Sequence, residues 1–351
     1  MMQRFPCELP EAVKQNVLNL GVSKRALIDS VPFQSKSESV LAENPLVDLC
    51  FDACTNAMDQ EGIPPSKIGY FIATYDANPI LSPGLSQLLV RKIGLNAYAK
   101  NVNAQGMAST AFPKALLLAE DHLARHPRDN VLICVSGVSS YWFQNQVRGI
   151  KSVSEMRRIS EIRNDAEKQQ EIRKWTAAME YFLFGDGVVA IIVSNQNGGV
   201  MVRKTVEVTN VLERDCLAGY SRLSSLPTPF TFGLHSYLDK DIPTLGVKYT
   251  DLALKRLLGK NVRETIRRSR KWAVHTGSQK ILNALAEHHG VDADKFKESH
   301  DVLRDHGNLS GASLPFILDR IIRTSKLTKN DAIMMLGYGW GFSAAASLLQ
   351  V

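Results

Sequence analysis

No run of about 18 consecutive apolar residues occurs in the 351-residue chain, so no membrane-spanning helix is expected. The opening MMQRFPCELPEAVKQ has no apolar core segment, and a secretory signal peptide is therefore not expected either. Cysteine is scarce: the five are Cys7, Cys50, Cys54, Cys134 and Cys216. An odd number without metal-ligand spacing excludes a disulfide framework and gives no zinc site. Cys50 and Cys54, four apart in an apolar helical pattern, read as small buried residues, as does Cys134 in the strand-like NVLICVSG. These absences point to a cytoplasmic globular protein without a bound metal.

The composition, 44% hydrophobic and 22% charged, is that of a folded domain with a sizeable core. The net charge of +7 suits nucleic acid, an acidic carrier or a phosphorylated cofactor. No aromatic interleaving or reading motif accompanies the basic residues, so nucleic acid is set aside.

Short apolar runs alternate with amphipathic stretches. Strands are expected at 68–74, 130–136, 188–193, 272–275, 332–336 and 344–349, and another in GVMVRKTVEVTNV. Helices are expected at 44–60, 85–93, 247–268, 280–288 and 314–324, with an opening helix near Pro10–Leu20. A glycine-containing hairpin turn is expected after the 188–193 strand. The segment Gln144–Lys174, dense in charges of both signs, reads as a solvent-facing helical insertion. This grammar predicts an α/β protein of two similar halves, 1–196 and 197–351.

The stretch NVNAQGMASTAFPKALLLAED (101–121) reads as an extended segment, a tight turn at Gly106 and a helix. Free N–H groups and the helix dipole at such a turn favour developing negative charge. Counted as a regular helix from the turn, Met107 occupies the tip, Ser109 points nearly away from it, and Thr110 lies about 60° off.

Four segments together, QGMAST, LFGDGVVA, HTGSQKIL with HGNLSGASLPFILD, and GYGWGFSAAASLL, resemble the ketosynthase III and chalcone-synthase (type III polyketide synthase) branch of the thiolase superfamily. The resemblance runs from about residue 21 to the C-terminus. It implies the five-layer αβαβα thiolase-like fold and an acyltransferase or condensing activity on acyl or malonyl thioesters. The family His falls on His275 and the family Asn on Asn308, two donors for a thioester carbonyl oxygen. The family nucleophile, a Cys, falls on Met107, which cannot act as one; Thr110 is the weak substitute.

The resemblance further implies no bound cofactor, with coenzyme A or acyl-carrier-protein thioesters as substrates. Lys24 and Arg25 sit where the family contacts coenzyme A phosphates. Lys255 and Arg256 open a basic run continued by Lys260, Arg263, Arg267, Arg268, Arg270 and Lys271, a docking face for carrier or coenzyme A. Pro79–Pro83 matches a dimer-contact region, so a homodimer, or a heterodimer with a ketosynthase homologue, is expected. The family opens with a core strand, whereas here the chain begins almost at the first helix: either that strand is missing, leaving a sheet edge to be covered, or the start is incompletely represented. With Met107 at the tip, a second reading is a catalytically inactive subunit pairing with an active homologue.

Overall fold

The computed structural model describes residues 11–28, 44–76, 82–140, 154, 158, 161–163, 179–196, 198–223, 234–238 and 241–351. The strands are β1 (Ile68–Tyr75), β2 (Lys100–Gln105), β3 (Asn130–Val138), β4 (Asp186–Ser194), β5 (Met201–Thr209), β6 (Gly219–Leu223), β7 (Leu234–Leu238), β8 (Lys271–Val274), β9 (Ala332–Gly339) and β10 (Ser343–Gln350). The helices that matter here are α1 (Glu11–Leu18), α2 (Pro45–Glu61), α3 (Leu85–Ile93), α4 (Ala111–Arg125), α5 (Ile242–Leu258), α6 (Val262–Arg268), α7 (Gln279–His289), α8 (Lys297–His306) and α9 (Ser313–Thr324).

Two four-stranded sheets, ordered β2-β1-β3-β4 and β5-β10-β9-β8, carry the fold. In the first, β1 runs parallel to β2 and β3, and β4 is antiparallel to β3. In the second, β8 and β9 are parallel while β10 is antiparallel to both β9 and β5. Strands β3 and β9 read as near-continuous apolar runs because both faces are covered, the usual pattern of interior strands in α/β sheets.

Three apolar clusters define the layers. Leu46, Cys50, Cys54 and Met58 of α2 and Leu85 and Leu89 of α3 cover one side of the first sheet, against Phe71 and Cys134. Leu254, Leu257 and Leu285 of α5 and α7 cover the far side of the second sheet, around Trp272 and Leu336. Between the sheets, Phe112 and Leu116 of α4 and Leu314 and Ile317 of α9 pack against Ile72, Ile133, Ala273 and Met335. The layering is therefore helix, sheet, helix, sheet, helix: the expected αβαβα fold. Each fully buried Leu, Ile or Phe adds about 1.5–3 kcal/mol to its stability.

Several local expectations are corrected. The glycine-rich turn after β4 does not close a hairpin, because β4 pairs with β3 whereas β5 pairs with β10. A turn does not choose a strand's partner; here the chain leaves one sheet and enters the other. The single helix expected over 247–268 is two, since Gly259, at φ 57°, ends α5. Helix α8 went unread because its sequence KESHDVLRDH is dominated by charge, stabilised here by Asp301 bridging Lys297 and Arg304. The charged segment 144–174 lies outside the described residues apart from 154, 158 and 161–163, and so does any strand before residue 11. Residues 77–81, which include most of the expected dimer-contact stretch, lie outside them as well.

Two features fix the ends of strands near the centre of the molecule. The Asp186 carboxylate of the Gly-Asp-Gly turn accepts hydrogen bonds from the Ile28, Ser139 and Ser140 amides at 2.7, 2.9 and 3.0 Å. Gly137 of β3 lies under the loop entering α9, where an added Cβ would come within 1.7 Å of the Leu309 carbonyl oxygen. Backbone on backbone cannot yield as a side chain can. Gly137→Ala is thus expected to destabilise the fold by about 3 kcal/mol or more, read as a lowered urea midpoint with an unchanged slope.

Candidate active site

The turn into α4 is not the simple one a regular helix would give. Strand β2 ends at Gln105, Gly106 takes φ 73°, Met107 returns to a right-handed conformation, and Ala108 turns left-handed again at φ 42°. A single 3₁₀ turn, Ala108–Thr110, then leads into α4. The second left-handed corner moves the tip of the elbow two residues along the chain. Ser109, not Met107, is brought to His275: its Oγ lies 2.7 Å from His275 Nε2, with both residues buried. This corrects the sequence reading that put Met107 at the tip and turned Ser109 away. Thr110 is also corrected as a substitute nucleophile, since its hydroxyl donates to the Met107 carbonyl at 2.8 Å.

His275 follows β8, and its amide donates to the Leu336 carbonyl at 3.0 Å. Its own carbonyl accepts from the Gly277 amide and the Tyr338 hydroxyl, at 3.0 and 3.3 Å, and the Tyr338 ring meets the imidazole edge-on at 5.3 Å. Burial drives the imidazole pKa down to about 3. The ring is therefore neutral at physiological pH. Its Nδ1 is buried and has no hydrogen-bond partner among the described residues.

Asn308 is held by its backbone, which donates to the Leu183 carbonyl at 2.8 Å and accepts from the Gly185 amide at 3.1 Å. Its side-chain Oδ1 accepts from the Ser310 amide at 2.8 Å. That bond fixes the carboxamide so that Nδ2 is the group left to act as a donor. The two expected residues are tied into one junction: Thr276, next to His275, meets Ser313 Oγ at 2.9 Å, and Ser313 Oγ accepts the Leu309 amide at 3.0 Å. Ser109 contributes a backbone N–H in the first helical turn as well, where amides have no intrahelical partner. Gly337 of β9 admits this arrangement, because a Cβ there would stand 2.5 Å from the Ser109 carbonyl oxygen.

Asp76, at the carboxyl end of β1, was not singled out from the sequence. It accepts the Ala108 amide at 3.1 Å through Oδ1 and the Ser310 hydroxyl through Oδ2. Burial raises its pKa against the opposing effect of these hydrogen bonds. An acidic residue following a parallel strand at its carboxyl end was the available signal, since sites in α/β sheets gather there.

The residues expected to contact coenzyme A or a carrier divide. Lys24 is exposed, and its amide donates to the Arg304 carbonyl at 3.1 Å. Arg25 turns inward, its guanidinium 4.5 Å from the centre of the Tyr181 ring and donating to the Phe182 carbonyl, and burial lowers its pKa to about 10. It is corrected from a phosphate contact to a packed cation. Lys255 and Arg256 are exposed on α5, with Lys255 paired to Asp251 at 2.6 Å. Lys271 leaves the basic face, being buried beside Glu298 at 3.1 Å. Among the described residues Asp251, His288 and His289 bring potential metal-ligand atoms within 4.8 Å of one another. Asp251 is already engaged by Lys255, and His289 meets Thr250 at 3.3 Å. No described helix is long and apolar enough to cross a membrane.

Residues 270–351, which hold His275, Asn308 and Gly337, match the family described as 3-oxoacyl-[acyl-carrier-protein] synthase III C terminal. The 1,3,6,8-tetrahydroxynaphthalene synthase of Streptomyces coelicolor, a bacterial type III polyketide synthase, superposes with a TM-score of 0.75 at 20% identity, covering 96% of this chain and 88% of that one. The fold is thiolase-like. In sequence, the thiolase-like chain is 23% identical over 322 residues to a β-ketoacyl-[acyl-carrier-protein] synthase III of Neisseria meningitidis, 90% of this chain and 87% of the relative. It is 25% identical over 275 residues, 77% of its length, to a 3,5-dihydroxyphenylacetyl-CoA synthase of Amycolatopsis orientalis, spanning 65% of that protein. The likeness is thus to ketosynthase III and type III polyketide synthases together.

A neutral histidine has a measurable consequence. A base with a pKa near 3 is already deprotonated throughout the ordinary range, so any reaction through His275 should keep a level rate from about pH 5 to 8. The loss on the acid side should come only as pH falls towards 3. A pH–rate profile of enzyme acylation, read by quenched-flow mass spectrometry, would reveal an inflection near 6.5 if the ring were in fact solvated.

Proposed function

We propose that this protein is an acyltransferase of the condensing type that carries its acyl group on Ser109. The observation on which the reading rests is the 2.7 Å contact between Ser109 Oγ and His275 Nε2. With its proton on Nδ1, His275 accepts the Ser109 hydroxyl proton at Nε2 while Oγ attacks the carbonyl carbon of an acyl thioester. The carbonyl oxygen takes up the negative charge, facing the Ser109 N–H at the entry to α4. Collapse of this intermediate breaks the C–S bond, and the departing thiolate recovers the proton from Nε2. One ester forms, one thioester is consumed and one thiol leaves.

The second half-reaction uses Asn308. A malonyl-type thioester loses CO2, and the electron pair of the broken C–C bond becomes an enolate whose oxygen accepts from Asn308 Nδ2. A donor in this position can lower such a barrier by about 3–4 kcal/mol. The enolate carbon then attacks the Ser109 ester carbonyl, forming a C–C bond as the ester C–O bond breaks, and the departing Oγ takes one proton from water to return the serine. An oxygen ester is a less reactive acyl donor than a thioester, so serine trades speed of condensation for a longer-lived loaded state.

Coenzyme A thioesters fit this reading through the named product of the Amycolatopsis relative, and a carrier-protein thioester through the name of the Neisseria relative. The exposed Lys255, Arg256, Lys260, Arg263 and Arg267 give either thiol carrier an electropositive approach. Lys24 is kept as a phosphate contact and Arg25 is not. A dimer, of identical chains or with a homologue, remains part of the proposal. The inactive-subunit reading, motivated by Met107 and by the charged segment 144–174, is the alternative; the Ser109–His275 contact favours the enzyme over it.

Incubation with acyl-CoA should add the acyl mass to the peptide holding Ser109. Ser109→Ala should abolish the adduct, and His275→Ala should slow its formation by about 10²–10⁴-fold. Ser109→Cys should load and condense faster than the wild type. Labelling that survives Ser109→Ala, or a wild-type enzyme that gains no mass from acyl-CoA or acyl-carrier protein, would overturn the reading.

A further inference from the structure

Two non-glycine residues at the site have left-handed backbones: Ala108 at φ 42° and Ser310 at φ 48°. Each begins a 3₁₀ turn that feeds a central helix, Ala108–Thr110 into α4 and Ser310–Ala312 into α9. Such a conformation costs an L-residue of this kind energy, and it persists only where the surroundings hold it. The two turns abut, since a Cβ on Gly311 would lie 3.0 Å from the Ala108 carbonyl oxygen. One side chain reaches both corners. Asp76 accepts the Ala108 amide with one carboxylate oxygen and the Ser310 hydroxyl with the other.

Each corner adjoins a group the chemistry needs. Ala108 precedes Ser109, whose Oγ meets His275. Ser310 donates its amide to Asn308 Oδ1 and so orients that carboxamide. The geometry points to Asp76 as a positioning residue that sets both the acyl-accepting serine and the enolate-binding asparagine by clamping the two left-handed corners. It is not a catalytic residue, because its carboxylate is spent on Ala108 and Ser310. Negative charge also suits the place, where the N-terminal turns of two helices converge.

The inference rests on the acyltransferase reading for its kinetic consequence and on coordinates alone for its structural one. Asp76→Ala should slow acylation of Ser109 by about 10- to 100-fold, the usual scale for a misplaced reacting group. The effect should fall on the maximal rate rather than on the acyl-CoA concentration giving half of it. Glycine takes up a left-handed backbone freely, so Asp76→Ala combined with Ala108→Gly should regain much of the loss. Asp76→Asn, which keeps an acceptor for the Ala108 amide, should retain more activity than Asp76→Ala. A residue that served general stability would give no such selective rescue.

Acylation of Asp76→Ala within twofold of wild type, or a double variant no faster than Asp76→Ala, overturns the inference. A crystal structure of Asp76→Ala, or of Asp76→Asn should the alanine variant fail to fold, reads the same clamp without any reaction. The expected result is Ala108 or Ser310 out of the left-handed region, with the Ser109–His275 contact or the Asn308–Ser310 bond lost. Both corners and both contacts unchanged would refute it. Failure of the wild type to accept any acyl group would instead count against the acyltransferase reading and leave that structural result to decide the role of Asp76.

Discussion

Two helices shared by two sheets impose the main constraint on this molecule. Helices α4 and α9 bury their first turns and their apolar faces: Phe112 and Leu116 on one, Leu314 and Ile317 on the other, are buried between β1, β3, β8 and β9. Their entry turns abut at the centre of the molecule. Backbone amides that a helix leaves unpaired at its start are costly in a buried place unless something accepts them. The chain answers with Asp76 at the Ala108 amide, Ser313 Oγ at the Leu309 amide and Asn308 Oδ1 at the Ser310 amide. The groups the proposed chemistry uses are then the members of this junction whose hydrogen-bonding capacity is left over.

The electrostatic character of the pair Ser109–His275 follows from the same enclosure. A thiol beside a histidine is often activated as a thiolate–imidazolium pair. Here burial opposes any charge on the ring, and among the described residues no carboxylate offsets it, so the imidazole is held neutral. A hydroxyl is compatible with such surroundings because it does not ionise in the resting state. It needs a base only at the moment of attack, when proton and charge move together.

Much of the fold was legible from pattern alone. The strand runs at 68–74, 130–136 and 332–336 and the helices at 85–93 and 314–324 differ from the structure only at their ends, because each combines one clear period with a glycine, proline or polar stop. Motif context singled out His275 and Asn308, and the structure places them beside the entry turns of α4 and α9. The elbow was misread for a specific reason. Counting 100° per residue from Gly106 assumes a helix that begins at once, whereas Ala108 makes a second left-handed corner that an alanine seldom adopts. Nothing local in QGMAST announces that corner; it is imposed from outside by Asp76 and by the close approach of Gly311 and Gly337. Asp76 itself was a single acid at a strand end, and its importance lies in partners 32 and 234 residues away.

The seat of Ser109 against β9 has a consequence for how the protein comes into being. The serine emerges from the ribosome early, yet its partner His275 lies 166 residues further along. The strand whose Gly337 leaves room for the Ser109 carbonyl follows later still. A nascent chain can assemble the first sheet and its outer helices while the second is still being translated. Throughout that interval the hydroxyl is an ordinary, unreactive alcohol. On the proposed reading the serine meets its base only when the last strands close over it, so an incomplete translation product would not consume thioesters.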